Sequence, residues 1–401
     1  MRAFLKGNVR ARKEGTVYVA AAFSNSVADI APIAIPLWLA ALGMEPFLIG
    51  MVIGTRYLGP LFFSIQGGAL MDRLGTRRVM IIFSAMASAV PLLYPQAGWL
   101  PFILCLQLVG GLSESICWSG AQTLTNQVFQ GKAVYSGRMI AATRVGTLLG
   151  PPFAGLMVEI FGGNGGFLAM SIWGAGTLVA VCLLPPSAIN QKNIKNDPGI
   201  KGVLPSLEDY ISTLKLMAIP AVATLMAITS MRQVGSSMQN SFYTVYLGNA
   251  GISEAFIGLL IAMNGLAGIA AVWTGRLAIF IKEENLLFIT TGLSILSIAL
   301  IPISTNIWFL FVMSAVRGLC LAVSVALLLV VLSKQVNYEF QGRVIGLRMT
   351  CHQVLNVFIP VLLGAVVQFS GLSAGFYCVG FGAILFLFIL KMFSGRDKAV
   401  S

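Results

Sequence analysis

Four ionisable residues sit in the middle of apolar stretches, where charge is costly. "SNSVADIAPIAIP" carries Asp29 and "GGLSESICWSG" carries Glu114; "AITSMRQVGSSMQNSF" carries Arg232 and "MSAVRGLCLAV" carries Arg317. Insertion scales set the cost of such a residue at the centre of a membrane helix at about 2.5–3.5 kcal/mol, so each is a candidate functional group. A carboxyl in that setting can take and release a proton. An arginine offers a planar fork that binds two oxygens of a carboxylate or phosphate. Three more arginines lie in apolar stretches, Arg56, Arg144 and Arg348. Arg144 and Arg348 stand near the beginnings of their stretches and read as structural. The arginines outnumber the two acids, so pairing does not neutralise them all. The excess leans toward an anionic or zwitterionic ligand held by Arg232 and Arg317, with Asp29 and Glu114 as proton sites. His352, the single histidine, falls one helical turn after Arg348. It reads first as a packing residue, with a proton role open because an imidazole titrates near physiological pH.

Polar and aromatic neighbours extend the possible ligand site: Trp118, Gln122 and Asn126 after Glu114, and Gln239, Asn240 and Tyr243 after Arg232. Such side chains also serve as packing glue between helices. No His, Cys and carboxylate cluster has metal-ligand spacing. There is no P-loop and no nucleophile–base pair. The expectation is a protein that is not an enzyme and needs no cofactor or metal.

The elements that hold these residues follow from composition. Of 401 residues, 57% are hydrophobic and 10% charged, against about 25% charged in a soluble domain. A membrane span needs about 20 apolar residues, and twelve stretches qualify: 16–42, 47–71, 77–96, 101–129, 137–161, 165–185, 213–247, 253–280, 285–304, 307–333, 342–369 and 372–393. We call them spans 1 to 12. The first is too long for a cleavable leader and lacks its small-residue exit. Alternate loops such as "GMEPF", "YPQAGWLP" and "GGNGG" contain no Lys or Arg, and the basic residues crowd the other side. The positive-inside rule then puts both termini in the cytoplasm. The net charge of +12 reports this topology and does not argue for nucleic acid. The six cysteines all fall within spans and read as packing residues.

The polar stretch "PPSAINQKNIKNDPGIKGVLPSLEDY" reads as a cytoplasmic linker. The expected domains are therefore 1–185, a linker 186–212, and 213–401, each end a six-helix bundle. The halves look related. "GRMIAATRVG" and later "FAGLMVEIFGGNGGF" in span 5 match "GRVIGLRM" and "LLGAVVQFSGLSAGF" in span 11, with a short gap. A parallel repeat of this kind places a solute site near the midplane.

Between spans 2 and 3, "GALMDRLGTRR" resembles the Gly-x-x-x-Asp-Arg-x-Gly-Arg-Arg motif of the major facilitator superfamily. Gly68, Asp72, Arg73, Gly75 and Arg77 match, and Thr76 departs from it. On the residues alone, Gly68 lets helices approach closely, Asp72 suits a helix N-terminus, and the arginines keep the loop cytoplasmic. The resemblance implies that Asp72 engages the start of span 11, where Arg343 is available, and helps set the outward-facing state. The second-half counterpart, "GRLAIFIKEEN", lacks the Asp. Span 5 carries Gly137, Gly146, Gly150, Pro151, Ala154 and Gly155 at the spacing of the family's antiporter motif, with Ala154 in place of one Gly. That motif goes with exporters that exchange solute for protons. The family's fourth helix often has an Arg before its glycines, where this chain has Gln107.

The resemblance implies an all-α integral membrane protein of twelve transmembrane helices in two pseudo-symmetric bundles, with spans 1, 4, 7 and 10 lining a cavity. It implies a secondary transporter in the cytoplasmic (inner) membrane, working by alternating access as a monomer in the lipid bilayer. The expected activity is proton-coupled export of a small organic solute. The alternative is proton-coupled uptake of an organic anion such as a carboxylate or carboxylate siderophore. A non-transporting sensor on the same fold is the remaining reading.

Overall fold

The structure, a computed structural model, describes residues 2–129, 133–184, 217, 219–269, 274, 279–335 and 338–396. Every element among these residues is a helix. Nine helices are long and apolar enough to cross a membrane among the described residues, and Glu254–Ala267 is a shorter apolar one. Two further expected spans, Ala133–Phe161 and the one beginning at Pro220–Met238, carry more polar residues, including Arg138, Arg144 and Arg232. The protein is an all-α membrane protein consistent with twelve helices.

Several spans depart from a plain rod. Span 1 runs as one helix, Arg2–Ala41, through Pro32 and Pro36. Span 2 is broken into Pro46–Thr55 and Leu58–Leu74, and the break falls at Arg56. Span 3 continues from Thr76–Ala89 into a 3-10 turn, Val90–Gln96, containing Pro91 and Pro95; a proline removes a helical donor and tightens the turn. Span 7 contains a π-turn, Gln239–Tyr243, before Thr244–Asn249. Such one-residue offsets often mark functional sites.

The chain forms two compact units. The first comprises Met1–Ala41, Thr55–Val203 and Ser253–Ala262, the second Leu42–Gly54, Leu204–Ile252 and Met263–Ser401. The expected linker, 186–212, lies outside the described residues. The first unit has a core built from Val17, Met80, Ala121, Leu124 and Val181. The second has one built from Leu225, Leu287, Val323, Leu327, Leu347 and Leu387. Large apolar side chains such as Phe62, Leu362 and Phe388 are exposed, as a lipid-facing surface requires. Cys105, Cys182 and Cys378 are exposed too. They are not the packing residues expected of them, since an apolar stretch does not say which face meets lipid.

The first residues of span 2 belong with span 11, and those of span 8 with span 5. The same joint is built twice. A Cβ on Gly50 would lie 2.1 Å from the Pro360 carbonyl oxygen, and one on Gly258 would lie 2.2 Å from that of Pro151. Gly364 abuts the Pro46 carbonyl at 2.5 Å, and Gly155 abuts that of Glu254 at 2.1 Å, each measured from the same added Cβ. In lipid there is no hydrophobic drive between helices, so close backbone packing at small residues has to hold them. A polar clasp completes each joint. Glu159 Oε2 accepts from the Ala255 backbone N–H at 3.3 Å. Gln368 Oε1 accepts from that of Phe47 at 3.3 Å, and Gln368 Nε2 donates to Glu45 at 3.0 Å. Pro151, Gly155, Glu159 and Gly162 thus repeat without a gap as Pro360, Gly364, Gln368 and Gly371. Gly162 and Gly371 both end their helices with positive φ, 68° and 82°.

Candidate functional site

In the first unit, span 5 lies against span 1 through the glycines expected of it. A Cβ on Gly146 would come within 2.3 Å of the Ala22 carbonyl oxygen, and one on Gly150 would touch Ser26 and Ile30 at 3.4 Å. That approach brings Thr147 to Asp29, and its hydroxyl donates to Asp29 Oδ2 at 2.8 Å. Asn25 Nδ2 donates to Thr147 at 3.4 Å. Ser26 accepts from Trp173 Nε1 and donates to the Ala22 carbonyl at 2.7 Å. Asp29 is only half-buried, and Arg144, one turn before Thr147, is exposed. Arg144 acts on Asp29 electrostatically without an ion pair among the described residues. The carboxyl therefore sits at a helix joint, held by a hydroxyl. Pro151, next in the motif, lies inside the helix and gives its carbonyl side to span 8.

Glu114 has a different setting. It is buried and forms an ion pair with Arg56 of span 2. Arg56 Nη1 also donates to Gln107 Oε1 at 3.2 Å. A guanidinium does stand against position 107, but it reaches there from the break in span 2. Gly111 makes room for it: a Cβ there would lie 1.9 Å from the Arg56 carbonyl oxygen. The pair is neutral as a unit, and removing one partner strands the other charge in a low-dielectric setting. Trp118 packs on the unit's core, while Gln122 and Asn126 are exposed on the same helix.

In the second unit, Arg317 is placed differently from the expectation of a ligand contact. It is 4% exposed. Nε donates to Gln239 Oε1 at 2.5 Å, Nη1 to the Ser294 carbonyl at 3.0 Å and Nη2 to the Gly235 carbonyl at 3.0 Å. Gln239 Oε1 also accepts from Asn264 at 3.0 Å. Tyr243 is buried, its hydroxyl 3.3 Å from Ser314 Oγ. Arg317, Gln239 and Tyr243 together brace the π-turn. An arginine in a helix can turn to a neighbour's backbone as readily as to a ligand, and the sequence does not distinguish the two. Asn240 is half-buried.

Arg232 is half-buried, with its Nε enclosed and unbonded. Next to it, Gln233 Nε2 donates to Asn356 Oδ1 of span 11. Asn356 Nδ2 lies 3.2 Å from His352 Nδ1. Arg348 is half-buried, its Nε also enclosed without a partner, and both arginines act electrostatically on His352. A position near the start of span 11 suggests a structural role for Arg348, but depth in a span says nothing about facing. The one-turn spacing of Arg348, His352 and Asn356 is the sequence signal that marks the group.

The loop motif resolves residue by residue. Gly75 has φ 88° and ψ 131°, backbone that a side chain rarely tolerates. Its N–H donates to the Met71 carbonyl at 3.0 Å, ending one helix as the next begins. Arg77 Nη2 donates to the Cys182 carbonyl at 2.9 Å, a cation at a helix C-terminus where the dipole favours it. Asp72 and Arg73 are exposed. Gly68 makes no close approach: a Cβ there would meet nothing within 4 Å. Its neighbour Gly67 does, against Ile116 at 3.1 Å. The side chain of Arg343, expected to answer Asp72, lies outside the described residues, as do residues 275–278 at the start of "GRLAIFIKEEN".

Comparison with known proteins places this geometry. The chain is 25% identical over 359 residues to the multidrug resistance protein MdtG of Proteus mirabilis (strain HI4320), covering 86% of each chain. It is 24% identical over 287 residues to the quinolone resistance protein NorA of Staphylococcus aureus (strain MRSA252), covering 70% of this chain and 71% of NorA. Among solved structures, the nucleoside transporter NupG superposes with a TM-score of 0.76 at 14% identity, covering 96% of this chain and 98% of that one. A bacterial homologue of the human lysosomal transporter Spinster superposes with a TM-score of 0.71 at 12% identity, covering 95% of each chain. The family description "Major Facilitator Superfamily" matches residues 16–233 and 225–401. By its sequence over residues 16–401 and by its fold, the chain belongs to the Major Facilitator Superfamily.

Proposed function

We propose that the protein is a secondary active transporter that exports a small organic solute across the cytoplasmic membrane by alternating access, in exchange for protons. The solute leans anionic or zwitterionic. The observation that carries the coupling is Asp29. It is a half-buried carboxyl in an apolar span, accepting from the Thr147 hydroxyl at the joint formed by Gly146 and Gly150. A carboxylate only accepts there, whereas a protonated carboxyl also has a hydrogen to give. Proton binding at Asp29 therefore changes the polar contact between spans 1 and 5.

Export is favoured by the relatives named for multidrug and quinolone resistance. Glu114 is the second proton site, and there proton uptake competes with the Arg56 pair. Arg232 is the principal solute contact, with the half-buried Asn240 on the same span contributing polarity. Gly68, Asp72, Arg73, Gly75 and Arg77, with Gly146, Gly150 and Pro151, form the gating elements. Uptake of an organic anion by symport is the second reading, favoured by the excess of arginines over carboxylates in the spans.

The test is a stability screen of the purified protein against organic anions, cations and neutral amphiphiles at two pH values. A ligand that binds the folded state raises its stability by mass action. Stabilising compounds then go to flux assays in proteoliposomes under an imposed pH gradient. Gradient-driven efflux-direction flux supports the reading. Flux that is indifferent to the gradient overturns the proton coupling.

A further inference from the structure

Among the described residues, the second unit holds cations that no acid answers. Arg56 has Glu114, and Arg317 has three acceptors of its own. Arg232 and Arg348 have neither. The Nε atoms of both are enclosed without a hydrogen-bond partner, and among the described residues no carboxylate forms an ion pair with either. Arg348 bears electrostatically on Arg232, both bear on His352, and Arg232 bears on Arg317. Hydrogen bonds join the two helices that carry them. Gln233, beside Arg232 on span 7, bonds Asn356 on span 11; Asn356 Nδ2 in turn meets His352 Nδ1 at 3.2 Å and Gln353 Oε1 at 3.3 Å. Arg348 lies one turn before His352 on that same face.

Two guanidiniums gathered inside a membrane protein without a counter-charge are costly. A bound anion removes that cost, and the planar fork suits paired oxygens. A single negative charge leaves one guanidinium unanswered; two answer both. We propose that Arg232 and Arg348 together hold a small organic dianion, a dicarboxylate or a phosphate monoester, with His352 fixed beside them through Asn356. This rests on the transporter reading above and names the solute class for it. Arg348 and His352 replace Arg317 as the partners of Arg232.

The test uses the full-length protein in detergent at matched ionic strength. Thermal stability is followed against succinate, phenyl phosphate, the monoanion butyrate, chloride and tetraphenylphosphonium. The expected result is a saturable rise with succinate or phenyl phosphate that exceeds butyrate and chloride. The half-saturating concentration should be about ten- to a hundred-fold higher in Arg232→Gln and in Arg348→Gln, as expected for a lost charged hydrogen bond. Which dianion acts separates the carboxylate from the phosphate source. No dianion effect beyond chloride, or an unchanged response in both variants, overturns the site. Should neither glutamine variant fold, Arg348→Lys keeps the charge without the fork, and the wild-type preference for dianion over monoanion decides. Flux separates the two layers. Binding of the dianion without its transport keeps the site and overturns the transporter reading for that solute. Transport of tetraphenylphosphonium, undiminished in the arginine variants, keeps a transporter and overturns the site.

Discussion

Glu114 and Asp29 are both carboxylates in apolar spans of the first unit, and their partners make opposite predictions. Glu114 is buried against Arg56. Glu114→Gln leaves a buried guanidinium unanswered and should cost about 3–5 kcal/mol of stability. Arg56→Gln with Glu114→Gln should recover most of that loss, because no charge is then stranded. Thermal unfolding of the three proteins checks this, and a double variant as unstable as the single would refute the pairing. Asp29→Asn keeps an oxygen for the Thr147 hydroxyl, so stability should change by no more than about 1 kcal/mol. Gradient-driven flux should be lost in the same protein. Flux that persists would remove Asp29 from the coupling. At this scale the residue types are legible in the sequence, because charge in an apolar span is conspicuous. Their partners are not: Arg56 meets Glu114 only through the break in span 2 and the missing side chain at Gly111.

At the scale of elements, glycine positions govern how the spans meet. The joint of spans 5 and 8 leaves no space for a side chain at Gly258, which faces the Pro151 carbonyl. Gly258→Leu should open that joint and expose the start of span 8. An introduced cysteine at Ala255 should then react faster with a water-soluble maleimide, and solute flux should fall. An unchanged labelling rate would show that the joint tolerates the bulk. Gly75→Ala should cost about 1–3 kcal/mol, since its backbone lies where side chains are rarely found. A thermal shift smaller than that of an Ala substitution at the open Gly68 would contradict this. The repeat is readable in sequence only with a gap when similarity is sought from the start of each span. The carbonyl contacts of Gly155 and Gly364, and of Gly258 and Gly50, align the halves without one. Gly68 carries the opposite lesson: the motif marks it, yet in this structure its neighbour Gly67 makes the close contact.

For the molecule as a whole, the expected topology has a direct check. With native cysteines replaced, Gly98→Cys should react with an impermeant maleimide in intact cells, and Asn196→Cys should react only after permeabilisation. The reverse pattern would invert the orientation. Composition and hydropathy alone determined that this is a helical membrane protein: with 10% charged residues, its apolar runs have the length of about 20 residues that a membrane helix needs, where a barrel strand needs about 9–11. Spacing alone determined the loop and antiporter motifs, because they are local. Tertiary structure decided which arginines are spent on their own fold and which are not. Arg317 turns to carbonyls of neighbouring helices, while Arg232 and Arg348, on different spans, keep enclosed Nε atoms without a partner and form no ion pair among the described residues. Side-chain charge is written in the sequence; the partner that compensates it is set by how distant helices pack.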